Sequence, residues 1–553
     1  MHIIADIIVP FTLVTVSYAV CLFIGSLYRQ LFPHIRHIPG PKNPNFLYGN
    51  FIEIAEDRTA TIHEKWAETY GPTFRLHGPM KSSLLVTEDP KAMQHILKHS
   101  EDIYYKPEAV TFNVSRLLGN GVLATEGEKH RIQRRVMNPA FGPIQVRALT
   151  EIFVEKSLEL RDYWLKEIQG SNGRVIVGAG LSKMTLDVIG RAGTLFQIFS
   201  TQSTAKCLIA GFNYEFESLS GGDNSELSRA FTAVFSERSR SFLAFLQTQF
   251  PIFRKLPIPT DLRVRDARKI MDRIGAELVQ EAKKSSQEEK DGTGKSRDLL
   301  SLLMKANMNT NIPEDQRMSD EDVLAQIPTF FVAGHETTST STSWATYVLT
   351  QRKDIQSKLR QELLTLGTDT PSMDELNALP YLDHFVSEVL RFHAPVTWTN
   401  RAPIKDDVVP LKEPIVDING QVHTELHVKK GQLIQLSILA MNKSKALWGD
   451  DAAEFKPERW EKTPDSAQEI PGVWKHLLTF IGGPRACIGW RFSVVEMKAL
   501  LFTLVRAFEF DLAVPKEDIS FKRLLMFPLA RPVATSLPGR QLPVILTPVK
   551  REN

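Results

Sequence analysis

The chain has 553 residues, 42% hydrophobic and 24% charged, enough apolar sequence for a large buried core. Its net charge of +3 is small and dispersed, which argues against nucleic acid as a partner. Three cysteines (Cys21, Cys207, Cys487) give no disulfide framework, and no Cys-x-x-Cys or His-x-x-x-His pair beside Cys487 supports zinc there.

Ile7 to Tyr28 carries no charge and is rich in Ile, Val, Leu and Phe, long enough for a membrane helix of about 20 residues. Asp6 precedes it and Arg29, Arg36 and Lys42 follow it, a bias that predicts a lumenal N-terminus and a cytosolic body. A cleaved signal peptide competes, but the chain opens Met1-His2-Ile3-Ile4 without a basic residue. Pro10 starts or kinks the helix. Pro39-Gly40-Pro41 is a rigid turn. The expected division is an anchor over 1–30, a proline-rich hinge over 31–44 and a body over 45–553, with no repeat or long low-complexity linker dividing it.

Thr59 to Tyr70 reads as a helix, Pro72 to Leu76 and Ser82 to Thr87 as strands, and Pro90 to His99 as a helix. Residues 100–124 read as irregular, with a turn at Asn120-Gly121. Gly127 to Phe141 is a basic helix in which His130 and Arg134 share one face and Arg131 and Arg135 the next. Alone, that is a solvated surface. Residues 145–280 read as amphipathic helices, and Ala282 to Asp298 as a polar loop.

Ser319-Asp320-Glu321-Asp322 caps a helix running to about Thr350. It contains Ala333-Gly334-His335-Glu336-Thr337-Thr338, and Gly and Thr cost roughly 0.5–1 kcal/mol each in a helix interior. Such inconsistency marks a functional site, and a kink or bulge is expected at Gly334; a small-residue helix contact is the plainer alternative. Glu388 and Arg391 share a face of the helix Tyr381 to His393, by themselves a weak surface pair. Val396 to Arg401 reads as a strand and Pro457-Glu458-Arg459-Trp460 as loop-like. Phe480 to Gly489 places Cys487 in a glycine-rich loop before the helix Trp490 to Phe508, where dipole and free N–H groups favour a thiolate. A buried free thiol in a turn is the plain alternative.

These stretches, F-x-x-G-x-R-x-C-x-G at Phe480–Gly489, A-G-x-E-T-T at Ala333–Thr338, E-x-x-R at Glu388–Arg391 and the Pro457–Trp460 segment, resemble the cytochrome P-450 superfamily from about residue 38 to the C-terminus. The form is most like fungal members of the membrane-bound microsomal type. The resemblance implies an α+β, mostly helical fold with a small β-rich lobe, and haem b between the central helix and the Cys loop. It implies Cys487 as the axial ligand of the metal, iron, Arg485 on a propionate, Gly483 and Gly489 shaping the loop, and Phe480 beside the sulfur. Arg134 would bind a propionate, with His130, standing where Trp is common, donating a second hydrogen bond; Arg401 is a further propionate candidate. Arg131, Arg135 and Lys129 would face an acidic redox partner. Glu336 would relay protons and Thr337 would favour O–O heterolysis over peroxide release. Glu388, Arg391 and Arg459 would brace the Cys loop, with Trp460 where Phe is common. Residues 100–124 would cover the distal haem face, Leu525 to Pro532 would form a substrate-contacting turn, and the proline-rich segment would set the body against the membrane.

The function so implied is a monooxygenase on the cytosolic face of the endoplasmic reticulum, held by a single-pass transmembrane helix. Electrons would come from NADPH through NADPH–cytochrome P-450 reductase, with cytochrome b5 as a further donor. The reaction would be hydroxylation or epoxidation of a lipophilic small molecule in fungal secondary metabolism, with a terpenoid as the suggested substrate. The alternatives are a fatty-acid or xenobiotic hydroxylase; a haem-thiolate isomerase or dehydratase, against which Glu336 and Thr337 argue; and a tethered scaffold with a dead site. A Cys-nucleophile hydrolase lacks a paired His near Cys487.

Overall fold

In the computed structural model, which describes residues 34–57, 61–79, 82–191, 253–254, 259–290, 317–523, 529–537 and 541–549 with isolated positions elsewhere, the helix Asp320–Gln351 is buried along most of its length. Its start is capped as expected: the Ser319 hydroxyl accepts from the Asp322 N–H at 3.1 Å, and three acidic residues occupy the first turn. Buried hydroxyls of Thr342, Ser343 and Thr346 return to the carbonyls four residues earlier at 2.7–2.9 Å, so a polar, small-residue helix can sit inside the core. The helix passes through Gly334 without the expected break. The glycine gives room to a neighbour: a Cβ there would lie 2.5 Å from the Ile189 side-chain tip on the helix Val177–Arg191, which packs against this face.

Among the described residues, twelve strands frame the helices: β1 (Thr73–His77), β2 (Ser83–Thr87), β3 (Tyr104–Tyr105), β4 (Arg174–Ile176), β5 (Trp398–Pro403), β6 (Asp407–Val416), β7 (Val422–Val428), β8 (Leu433–Ser437), β9 (Phe508–Leu512), β10 (Ile519–Arg523), β11 (Ala530–Ala534) and β12 (Pro543–Pro548). The small lobe is a sheet ordered β1-β2-β8-β5-β3, so it joins the start of the body to segments some 300 residues later. Phe74, Leu76, Leu84 and Val86 pack with Ile54 in a separate core beneath it. A β4-β12-β9 sheet and the hairpins β6–β7 and β10–β11 complete the strands.

Several sequence expectations change. The stretch 100–124 is not irregular throughout: Glu108–Leu118 is a helix, because Val114, Leu117 and Leu118 form a buried stripe, and Gly119 at φ 82° ends it. The helix Pro259–Lys290 continues through 282–290, where a loop was expected, since Lys, Gln and Glu sustain a helix despite their polarity. Leu525 to Pro528 lie outside the described residues; Leu529 bridges to Val396, and the chain continues as strand β11. Among the described residues no helix is long and apolar enough to cross a membrane. Ile7 to Tyr28, apart from Ser17, lies outside them.

Candidate functional site

The Cys loop is shaped by close backbone contacts. The Cys487 N–H donates to the Phe480 carbonyl at 2.8 Å, closing the loop on itself. A Cβ on Gly482 would lie 1.6 Å from the Pro471 carbonyl oxygen, and one on Gly483, at φ 70°, 2.4 Å from that of Leu97. Ile481 holds φ 56°, unusual for a β-branched residue, and its N–H and C=O are tied to Leu478 and Val473 at 2.8 and 2.9 Å. Gly489 differs from expectation. Its φ is −92°, and a Cβ there would make ordinary contact with the Phe141 ring at 3.8 Å, so the loop's shape does not demand glycine at that position. The Phe480 ring is buried edge-on against Trp474, with centroids 5.6 Å apart.

Cys487 sits at the start of the helix Trp490–Ala507 with its side chain exposed. The surrounding protein nevertheless pushes its thiol up; the Gly489 N–H and the Arg134 guanidinium oppose the shift without reversing it. A bound cation is what would take the proton off.

Next to the loop lies a cluster of buried and half-buried charge. Arg485 donates to the Thr125 carbonyl at 2.8 Å and pairs with Glu126. Lys106 pairs with Glu126 at 3.3 Å, and Arg401, anchored on Thr399 and the Asn400 carbonyl at 2.8 and 2.9 Å, is fully buried in the same field. Arg134 reaches the Ala486 carbonyl at 2.6 Å, one residue before the thiol. Burial, Arg485 and Arg401 hold Lys106 down at about 7, with Glu126 opposing, and burial lowers Arg401 to about 10. Among the described residues, the carboxylates acting on Lys106, Arg134, Arg401 and Arg485 are Glu101 and Glu126, and the Arg485 Nε is buried without a hydrogen-bond partner. An excess of cations with an orphaned donor fits a ligand bearing a pair of carboxylates, as haem b does.

His130, expected beside a propionate, contacts a carboxylate of the protein itself. Its Nδ1 lies 2.8 Å from Glu101, and burial with Arg485, Lys106, Arg134 and Arg131 around it pushes its pKa down to about 2. The ring is neutral, and the carboxylate can only accept, so Nδ1–H is spent on Glu101 and Nε2 carries a lone pair. In this arrangement its Nδ1–H is engaged by Glu101. Arg131 and Arg135 are exposed on the outer side of the helix, and Lys129 is tied to Asp322 at 2.6 Å.

On the central helix Glu336 pairs with Arg531 of β11 and lies 3.3 Å from the His335 ring. Burial holds His335 down at about 4, and its Nδ1 is spent on the Phe331 carbonyl at 2.6 Å. The Thr337 hydroxyl donates to the Ala333 carbonyl at 2.6 Å.

The brace is fully buried. Arg391 grips Glu388 with two bonds of 2.7 and 2.8 Å and donates to the carbonyls of Asn442, Ala452 and Glu454 at 2.9–3.0 Å. Arg459 stands 3.7 Å from Glu388 and pairs with Asp451. Trp460 does what Phe could not: its indole N–H donates to Glu388 at 3.0 Å. Lys106, Glu126, Glu101, Arg531 and Asp451 escaped sequence reading, since each is a charged residue in an ordinary local setting that gains meaning only from a partner the fold brings to it, from eight residues away for Asp451 to much farther for Arg531.

Residues 39–532 match the family model described as cytochrome P450. Among curated relatives, cytochrome P450 monooxygenase 205 of Postia placenta is 49% identical over 93% of both chains. Cytochrome P450 monooxygenase 128 of the same fungus is 49% identical over 93% of this chain and 92% of its own. Cytochrome P450 monooxygenase claO of Ampulloclitocybe clavipes is 35% identical over 86% of this chain and 87% of its own.

Proposed function

The chain belongs to the cytochrome P450 family, a monooxygenase with haem b as cofactor and electrons drawn from NADPH through a reductase, and from that premise we propose which of its residues do what. When bound, haem b supplies the iron centre at which dioxygen is activated. Cys487 holds that iron from the loop Phe480–Gly489, and the Arg134 bond to the Ala486 carbonyl fixes the peptide that presents the sulfur. Arg485, Arg134, Arg401 and Lys106 receive the propionates. His130 acts one step removed, orienting Glu101 against the arginines. The observation that carries this assignment is the excess of buried cations with the unpartnered Arg485 Nε.

On the opposite face Glu336 holds and passes a proton, and must exchange its Arg531 partner to do so. Thr337 must turn its hydroxyl from the Ala333 carbonyl to donate elsewhere. Glu388, Arg391 and Arg459 keep the Cys loop rigid.

The substrate is a lipophilic small molecule, hydroxylated or epoxidised in fungal secondary metabolism, with a terpenoid first in line; relatives named as monooxygenases from two fungi support this direction. The segment Ile7–Tyr28 anchors the chain in the endoplasmic reticulum membrane with the body in the cytosol, beside NADPH–cytochrome P450 reductase and cytochrome b5. Co-expression of the full chain with a reductase, followed by metabolite profiling, tests the whole reading. New oxygenated products that require NADPH are expected; turnover without NADPH would favour an isomerase or dehydratase. Thr337→Ala should consume NADPH while releasing peroxide, and unchanged coupling would remove its role.

A further inference from the structure

Away from the Cys loop, side chains from two distant parts of the chain converge. His37 ends the short turn His34–His37, just before Pro39-Gly40-Pro41, while Asp417 and His423 flank the tip of the β6–β7 hairpin. One ligating atom from each lies within 4.8 Å of the other two, and among the described residues this is the one such group of His, Cys, Asp and Glu.

The groups are already set for ligation. Asp417 is buried, and its Oδ1 accepts from the Asn419 and Gln421 N–H groups at 2.8 and 2.9 Å, which fixes the carboxylate and leaves Oδ2 toward His423 Nε2 at 3.2 Å. That spacing is close to the roughly 3.3 Å edge of a tetrahedron with bonds of about 2.0 Å. The Ile418 N–H donates to the His37 carbonyl at 3.0 Å, locking the two segments together. His37 Nδ1 lies 3.1 Å from the His34 carbonyl, so Nδ1–H is spent there and Nε2 keeps its lone pair. The His37 and His423 rings stand 5.2 Å apart.

We propose that His37, Asp417 and His423 form a zinc-class transition-metal site that ties the N-terminal hinge segment to the β6–β7 hairpin. Imidazoles with one carboxylate suit Zn²⁺, whereas calcium and magnesium want an all-oxygen set. Bound metal would stabilise the docked arrangement of the segment that leads from the N-terminal apolar run into the body.

The test is calorimetric titration of ZnCl₂ into the full-length, haem-loaded protein carrying no oligohistidine tag, with thermal unfolding measured in parallel. One saturable Zn²⁺ per chain and a raised unfolding midpoint are expected. His37→Ala and His423→Ala should weaken binding by more than the roughly 10- to 100-fold that loss of an outer partner costs. Asp417→Asn keeps an acceptor for the turn N–H groups, so it tests the ligand without dismantling the hairpin, and should weaken binding as well. His427→Ala, on an exposed position of the same hairpin, should leave it unchanged. No stoichiometric binding, or an Asp417→Asn affinity equal to that of the unaltered chain, would overturn the proposal, and neither result bears on the Cys487 assignment.

Discussion

At the residue scale, the Cys loop separates glycines that the backbone requires from one that it does not. Gly482→Ala forces a Cβ onto the Pro471 carbonyl oxygen, and no side-chain rotation relieves a clash with backbone. Gly489→Ala meets only the edge of Phe141 at ordinary contact distance. The expected outcome is that Gly482→Ala yields little folded, haem-loaded protein while Gly489→Ala folds with a midpoint near that of the parent chain. Equal unfolding midpoints for the two would refute the loop geometry. The charged cluster makes a second prediction. Arg485→Ala leaves Glu126 with Lys106 as its close partner in a buried site and removes the orphaned donor, so haem content per chain should fall sharply. Arg485→Lys should recover only part of it, because a single ammonium cannot span the Thr125 carbonyl, Glu126 and a further carboxylate.

At the element scale, the brace joins the helix Pro380–Phe392 to the turn Pro457–Glu461 through one buried carboxylate. Glu388 accepts from Arg391, Trp460 and the Lys456 N–H, so Glu388→Ala strands buried cations and should cost about 3–5 kcal/mol. Trp460→Phe removes one of several donors and should cost about 1–2 kcal/mol, measured by denaturant unfolding. A larger loss for Trp460→Phe than for Glu388→Ala would contradict the ranking. The central helix carries a comparable lesson. Gly334 looked like a kink from its propensity alone, yet the helix is continuous and the glycine serves the approach of Ile189 on a neighbouring helix. Propensity records a local cost; the packing partner explains why it is tolerated.

At the scale of the whole molecule, buried neutral histidines set an acid limit on stability. His130 and His335 are held down at about 2 and 4, and His393, stacked on Trp344 at 4.2 Å, well below its usual range by burial with Lys443 and Arg391 nearby. The unfolded chain protonates all of them near pH 6.5, whereas the folded chain does not. The unfolded state therefore binds more protons below that pH, and the stability these groups contribute is complete above 6.5 and is lost as pH falls toward their folded values. His393→Phe can keep a ring against Trp344 and removes one titrating group. Its unfolding midpoint should fall less steeply between pH 6.5 and 5 than that of the parent chain; an identical slope would exclude His393 from the effect.

Local motifs were legible because their chemistry is sequential. A Cys between glycines before a helix, a capped helix at Ser319 and an E-x-x-R pair each lie within one or two turns of chain, and backbone geometry makes their residues neighbours. Helix starts at Pro90 and Trp490 followed from proline and apolar spacing in the same way, and the helix expected from Tyr381 begins one residue earlier, at Pro380. What tertiary structure alone decided was charge partnership: Glu101 for His130, Glu126 for Lys106 and Arg485, Asp451 for Arg459, Arg531 for Glu336. In Arg485–Glu126 and Glu336–Arg531 the partners come from well-separated segments, and at His130 the partner engages the Nδ1 side of the ring. The sequence by itself determined which residue types stand in the loop, helix and brace. The fold decided which proton each holds, because a buried group's protonation depends on the charges packed around it rather than on its neighbours in the chain.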